Sequence, residues 1–352
     1  MPSTLALSLP APGSAFSLTT IARRPLRDND VRIDIGFCGI CHTDLHFGHD
    51  SWGGTRYPLV PGHEITGVVS EVGGAVTEFA IGDRVGVGCM VNSCGTCAPC
   101  ASGEEQYCTE GFVKTYSSQD HDGTVTQGGY SQSIVVAESF VLRIPPALEL
   151  DRAAPLLCAG VTVYSPLRRW QAGPGTRVGV LGMGGLGHLG VKIAAAMGAD
   201  VTLLGRSPDK KDDALSFGAA RFVDTRAHTQ LAELENYFDL ILNTVPTFLE
   251  FDTYLGLLGL GGTLVNVGAP DDPVASYNVF SLLGARRTIT GSSIGSIRET
   301  REMLDFCARH RITAEIEKIP ADRVPEAWKN LADVRYRYVI DIATLGSIPP
   351  IP

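Results

Sequence analysis

The sequence predicts an α/β protein in which a doubly wound parallel sheet is joined to a mainly β part, and three observations predict it. Up to about residue 150 the chain runs as short β-type segments cut by Gly, Pro and Asp, among them "VRIDIGF", "ITGVVSEVG", "DRVGVG" and "YSQSIVVA". From about Val178 strands alternate with helices: "RVGVLG", "DVTLLG", "RFVD", "DLILNTV", "GTLVNVG" and "RTITGS" are the strand segments. That order builds a parallel sheet with helices on both faces. Finally, 352 residues with 44% hydrophobic and 19% charged content is a globular composition, long enough for two domains at roughly 100–200 residues each.

Each element has a local reason. In the helix after "VGVLG", Leu186, Leu189, Gly190, Ile193, Ala194 and Met197 recur at three and four positions, so they share one face. Gly198 stops that helix. The next helix has Ser207 as N-cap, Pro208 at its first position and Gly218 past its end. Beyond Ile294 come a helix in "ETREMLDFCARH", then "ITAEIEKI", "VPEAWKNLA" and the strand-like "RYRYVIDI". Six strands already complete the wound sheet, so this tail is expected to pack back on the first part.

Composition also excludes functions. A formal net charge of -9, with no Lys or Arg run beyond pairs such as Lys210-Lys211, offers no field for a polyanion, so no nucleic acid is expected. The N-terminus has no basic region ahead of its short apolar run, and "LGLLGLGGTLVNVGA" is too short and glycine-broken to span a bilayer. A cytoplasmic protein without a membrane partner is expected. Nine cysteines, an odd number, without a secretion signal argue against disulfides and for metal.

Two metal constellations follow. Cys94-x2-Cys97-x2-Cys100-x7-Cys108 brings four thiols close enough to surround one tetrahedral Zn²⁺. A closed four-sulfur shell has no place for substrate, so this zinc is structural; an iron–sulfur cluster takes the same ligands. The second group is dispersed: Cys41 in "GICHTDLH", His63 with Glu64 in "VPGHE", and Cys158 in "LLCAGVTVYSPL". Two Cys and one His make a three-ligand zinc site with an open fourth position, the arrangement of a catalytic rather than a structural zinc. Spacing alone does not assemble these three, and a buried Cys such as Cys158 is often plain core.

The nucleotide signal is Gly182-x-Gly184-x-x-Gly187, after a strand and at the start of the periodic helix. Glycines there allow the tight turn and the close approach of a pyrophosphate to backbone N–H groups. At the end of the next strand, where an acid would hold the ribose of NAD, stand Gly205, Arg206, Ser207, Lys210 and Lys211. Small and cationic groups suit a 2′-phosphate, so NADP(H) is expected ahead of NAD(H). Lys210 and Lys211 also read as a solvated face.

These residues, with "TQGGYS", "GSSIG" and "DVRYRYVID", resemble the zinc-dependent medium-chain alcohol dehydrogenases over nearly the whole chain. Within them the pattern is similar to the cinnamyl alcohol dehydrogenase group, in a bacterial, aldehyde-reductase-like form. The resemblance implies a GroES-like, mainly β catalytic domain over residues 1–155 completed by 293–352, and a Rossmann domain over 156–292. It implies Cys41, His63 and Cys158 as ligands of a catalytic zinc and Cys94, Cys97, Cys100 and Cys108 as ligands of a structural one. Thr43 and His46 become a proton relay, Asp44 a partner that orients His63, and Glu64 either an occasional ligand or a support from behind. The implied cofactor contacts are Thr162, Gly182, Gly184, Gly185, Leu186, Gly187, Arg206, Ser207, Lys210, Lys211, Thr244, Gly268, Ser292 and Ile294. A homodimer formed through the Rossmann sheet is also implied. Two departures stand out: Ser51 lies where many members carry an acid five positions past the relay histidine, and Gly205 replaces the Ser or Thr of plant lignin-type members.

The resulting expectation is reversible hydride transfer between NADP(H) and an aromatic or medium aliphatic primary alcohol or aldehyde. Two other readings compete: a reductase of activated C=C or iminium bonds on the same fold without catalytic zinc, and a non-enzymatic scaffold whose zinc loop binds a partner. Trp52, Tyr116 and Ile294 are candidate pocket walls, and Cys38, Cys89 and Cys307 have no assigned role.

Overall fold

A computed structural model describes residues 3–270 and 274–348. It divides into two compact units: one holds the chain up to Cys158 together with the stretch from Ser296, the other runs from Ala159 to Gly295.

In the unit from Ala159 to Gly295 six strands form one sheet in the order Arg221–Asp224, Asp200–Gly205, Arg177–Leu181, Phe238–Asn243, Leu258–Asn266, Thr288–Gly291. Every neighbouring pair is parallel. Numbered along the chain this is 3-2-1-4-5-6, the doubly wound order, which reverses direction between the first and fourth strands. The central strands read as near-continuous apolar runs because both faces are covered; Val178, Val180, Leu203, Leu204, Ile241 and Leu242 are fully buried. The helix Gly187–Ala196 begins at the third motif glycine and ends before Gly198, whose φ of +91° suits a residue without a side chain. Ser207 and Pro208 open a 3₁₀ turn, Pro208–Lys210, before the α-helix Lys211–Ser216, and the Ser207 side chain makes no capping hydrogen bond. Its place at the turn comes from extended backbone instead.

The other unit is built on a seven-stranded sheet. Its main path is Ile316–Pro320, Arg337–Asp341, Asp30–Gly39, Ile65–Val72, Arg84–Val87 and Leu142–Arg143, with Ser133–Ala137 paired to Asp30–Gly39. All pairs are antiparallel except the first, which the helix-containing tail contributes. Arg337–Asp341 pairs with Asp30–Gly39 through Val339↔Gly39 and Ile340↔Cys38, so the end of the chain closes the sheet begun near its start. That pairing puts Arg337 beside the loop that carries Cys41.

The helix Ile297–His310 shows a complete start signal. The Ser296 side chain accepts from the Glu299 amide while the Glu299 carboxylate accepts from the Ser296 amide. Among the described residues no helix is long and apolar enough to cross a membrane.

Candidate active site and metal centres

The four cysteines of the loop meet as the spacing requires. Their sulfurs lie within 4.8 Å of one another, with Cys94–Cys100 and Cys97–Cys108 each at 3.9 Å. A disulfide would need about 2.05 Å, whereas a tetrahedron with metal–sulfur bonds of about 2.3 Å has edges of about 3.8 Å. The observed separations fit the second. The backbone amides of Cys100 and Thr109 pull the Cys97 thiol down to about 6, toward the thiolate that a metal needs.

The dispersed group converges as well. One donor atom from each of Cys41, His63, Glu64 and Cys158 lies within 4.8 Å of the others, and all four residues are buried. Three segments of the chain deliver them. Cys41 is the N-cap of the helix His42–His49: the Asp44 amide donates to the Cys41 carbonyl at 3.0 Å while the Asp44 carboxylate accepts from the Cys41 amide. His63 and Glu64 end the loop that enters the strand Ile65–Val72, and Cys158 follows the 3₁₀ turn Ala154–Leu157. Gly39 is obligatory here, because a Cβ on it would sit 1.9 Å from the Glu64 carboxylate.

Asp44, fully buried, organises the centre. Its Oδ2 accepts from the Cys41 amide at 2.9 Å and the Tyr130 hydroxyl at 3.3 Å. Its Oδ1 accepts from the Tyr116 hydroxyl at 2.7 Å and the Gly62 amide at 3.2 Å, and lies 3.4 Å from His63 Nδ1. The same His63 nitrogen is 3.3 Å from the Tyr116 oxygen. With Nδ1 held on that side, Nε2 is the ring atom left to face Cys41 and Cys158. Burial, then Asp44, raises the pKa of Tyr116 well above its ordinary value, which keeps it a neutral donor.

Glu64 and Arg337 form a pair that the sequence does not reveal. The Arg337 guanidinium is 3.5 Å from Glu64 and donates to the Ile40 carbonyl at 3.0 Å, both side chains being fully or almost fully buried. Burial pushes Glu64 up to about 8 against the opposing charge of Arg337. Among the described residues neither Glu64 oxygen has a hydrogen-bond partner. Buried polar atoms left in this state, beside two thiols and an imidazole, fit a divalent cation.

Cys89 is a second omission. Its thiol is lowered first by a hydrogen bond with Cys158, and its charge bears on His63. Gly88 explains the proximity, since a Cβ there would meet the Leu157 carbonyl at 2.7 Å. Thr43 and His46 share the helix His42–His49, three residues apart and hence on one side. The His46 ring is buried and stacks on Trp52 at 4.3 Å, with 28° between planes.

In the wound sheet the glycine turn is tight. Gly182 has φ +89°, and a Cβ on Gly187 would lie 2.0 Å from the Gly182 carbonyl. The Thr244 hydroxyl donates to the Leu181 carbonyl at 2.8 Å, and a Cβ on Gly268 would meet the Val245 carbonyl at 2.3 Å. These contacts bring the loops after three adjacent strands together at the reversal point of the sheet. Gly184, with Gly185 and Leu186 beside it, has open space where a Cβ would be. Ser292 donates its amide to the Asn266 carbonyl at 3.1 Å, and Ile294 adopts φ +40°, uncommon for a β-branched residue. Thr162 is buried in the helix Ala159–Arg169. Arg206, Ser207 and Lys211 are exposed at the end of the second strand, whereas Lys210 turns back and donates to the Met183 carbonyl at 2.9 Å.

Two metal-binding clusters and a nucleotide-type glycine turn define a metal- and cofactor-dependent oxidoreductase. Comparison with known proteins agrees. Residues 27–146 match the alcohol dehydrogenase GroES-like domain and residues 185–309 the zinc-binding dehydrogenase family. A probable formaldehyde dehydrogenase, AdhA of Bacillus subtilis, is 55% identical over 97% of this chain and 98% of its own. NADP-dependent alcohol dehydrogenase C 1 of Mycolicibacterium smegmatis is 55% identical over 94% of this chain and 95% of its own. The solved cinnamyl alcohol dehydrogenase SbCAD4 of Sorghum bicolor superposes with a TM-score of 0.94 at 42% identity, covering 97% of this chain and 98% of that one. The chain therefore belongs to the zinc-binding alcohol dehydrogenase family and is an oxidoreductase acting on small alcohols or aldehydes.

Proposed function

We propose that the protein is an NADP(H)-dependent aldehyde reductase and alcohol dehydrogenase with one catalytic and one structural zinc per chain, acting on aromatic or medium aliphatic primary alcohols and their aldehydes. The observation that carries this is the buried convergence of Cys41, His63, Glu64 and Cys158 within 4.8 Å. When bound, zinc supplies a Lewis acid to the substrate oxygen and the nicotinamide supplies or accepts the hydride. Cys41, His63 and Cys158 hold the metal, while Asp44 and Tyr116 fix the tautomer and tilt of His63. Glu64 stands behind it, restrained by Arg337. Thr43 takes or returns the proton of the substrate hydroxyl and passes it toward His46. Cys94, Cys97, Cys100 and Cys108 hold the structural zinc.

The turn Gly182–Gly187 would hold the cofactor's pyrophosphate, and Thr162, Thr244, Gly268, Ser292 and Ile294 would make further contacts with the cofactor. Arg206, Ser207 and Lys211 take its 2′-phosphate. The name of the mycobacterial relative, an NADP-dependent alcohol dehydrogenase 55% identical to this chain, supports this choice of nucleotide. A cytoplasmic homodimer is part of the proposal. All nine cysteines are unpaired, as in a reducing compartment, and Leu260, Phe280 and Leu283 are about 70–80% exposed around the edge strand Thr288–Gly291, apolar area that a second copy would cover.

The test is a panel of saturated, unsaturated and aromatic aldehydes assayed with NADPH and with NADH. Reduction of the carbonyl in every class, faster with NADPH, is the expected result. Reduction of the C=C bond alone would overturn the reading in favour of a reductase of activated double bonds.

A further inference from the structure

His63 reaches the metal cluster on a stretch, 58–63, that belongs to no helix or strand, yet residues 59–63 are buried. Its backbone groups must therefore find partners in other segments. Leu59 exchanges amide and carbonyl bonds with Leu9. From Val60 to Gly62 the partners come chiefly from "QGGY", residues 127–130. The Gly128 amide donates to the Val60 carbonyl at 2.7 Å, Gly129 to Gly62 at 2.9 Å and Tyr130 to Pro61 at 3.0 Å. Gln127 adds its side chain: Oε1 accepts from the Val60 amide at 2.7 Å and Nε2 donates to the Pro58 carbonyl at 3.0 Å. A Cβ on Gly128 would sit 2.3 Å from the Pro61 carbonyl, so the two stretches lie backbone against backbone.

The far side of 127–130 is held by Arg23, which follows the strand Ser17–Ala22 and is 7% exposed. Its Nη1 donates to the Gln127 carbonyl at 2.5 Å, and its Nη2 to the Gly128 carbonyl at 2.8 Å and the Ser131 hydroxyl at 2.6 Å. Its Nε donates to the Ser133 carbonyl at 2.8 Å. A trans peptide is planar, with its C=O and N–H on opposite sides. Fixing the Gln127 and Gly128 carbonyls on Arg23 therefore aims the Gly128 and Gly129 amides the other way, at Val60 and Gly62. A glycine pair is otherwise the most mobile backbone, and the rigid guanidinium fork suits several acceptors at once.

We infer that Arg23 and Gln127 are positioning residues for the catalytic metal: Arg23 sets the shape of 127–130, and 127–130 in turn sets the shape of the loop that presents His63. The hydroxyl of the fully buried Tyr130 carries the same constraint to Asp44 Oδ2 at 3.3 Å, and the Gly62 amide donates to Asp44 Oδ1 at 3.2 Å. The ligand loop and the carboxylate beside His63 thus share one support. None of these bonds involves residues 94–108, so the structural metal is not under the same control.

The inference rests on the ligand reading proposed above, and the experiment separates the two. Full-length, zinc-loaded protein and the variants Arg23→Met, Arg23→Lys, Gln127→Ala and Leu304→Ala are titrated with a chelator below their melting temperatures, zinc release being followed with a dye. Arg23→Met and Gln127→Ala should release one zinc at about tenfold lower chelator concentration, the low end for loss of an outer support, and the other as in the wild type. Arg23→Lys, which keeps a charged donor, should lose less than Arg23→Met. Leu304→Ala empties a buried site in the helix Ile297–His310, which makes none of these bonds, and should lower Tm while releasing both zincs as in the wild type. Gln127 is only half-buried, so Gln127→Ala decides the matter if Arg23→Met does not fold. Release of both zincs from Gln127→Ala as in the wild type, or equally early release from Leu304→Ala, overturns the inference and leaves the ligand reading intact. A wild type holding a single zinc would defeat both.

Discussion

Asp44→Asn isolates how far the catalytic cluster depends on groups that never touch the metal. The carboxylate accepts from two backbone amides, Cys41 at 2.9 Å and Gly62 at 3.2 Å, and from two tyrosine hydroxyls, while facing His63 Nδ1 at 3.4 Å. An asparagine keeps one acceptor oxygen and turns an NH₂ toward donors, so at least one buried amide loses its partner. Leaving a buried donor unsatisfied costs about 1–3 kcal/mol. That is a sizeable part of a net stability of about 5–15 kcal/mol. For the metal, loss of such an outer partner weakens affinity about 10–100-fold, or about 1.4–2.7 kcal/mol. Chelator competition followed with a zinc dye reads it directly, and the four-cysteine zinc is an internal reference because Asp44 makes no contact with that loop. One zinc should leave at markedly lower chelator concentration and the other unchanged. Two zincs released as in the wild type would refute the argument that Asp44 presets His63.

Cys97→Ser should lower zinc from two per chain to one and make the stretch 94–108 susceptible to limited proteolysis, because that loop has little apolar material beyond its metal. Gly39→Ala should cost about 1–3 kcal/mol, read as a lower Tm, since its Cβ would meet the Glu64 carboxylate at 1.9 Å and the fully buried acid has little room to give. Thr43→Ala should reduce kcat by about 10²–10⁴, the usual worth of a positioned proton-transfer group, with nucleotide affinity unchanged in fluorescence titration.

Much of this was legible in the residues, and what was not has a physical reason. The four-cysteine loop is local, so spacing alone brings its sulfurs to tetrahedral separations. The alternating strands from Val178 announce a wound sheet, but periodicity carries no strand order; 3-2-1-4-5-6 arises from the handedness of the crossovers. Cys41, His63 and Cys158 came together through the family pattern, which had been shaped by the fold that unites them. Glu64–Arg337 escaped because its members meet only when a strand near the C-terminus pairs with Asp30–Gly39. Tyr116 read as a pocket wall from its apolar ring, whereas its hydroxyl is committed to Asp44. Cys89 read as a spare thiol because nothing in its neighbourhood signals the approach of Gly88 to Leu157. Lys210 and Lys211 read alike, and only the 3₁₀ turn before the helix separates them.

The most direct test of the central claim is zinc content, NADPH affinity and aldehyde reduction measured on one preparation of Cys158→Ser beside the wild type. The account predicts two zincs and turnover for the wild type, and for the variant one zinc, wild-type NADPH affinity and no turnover. Undiminished reduction by a variant holding only the zinc of Cys94, Cys97, Cys100 and Cys108 would contradict it.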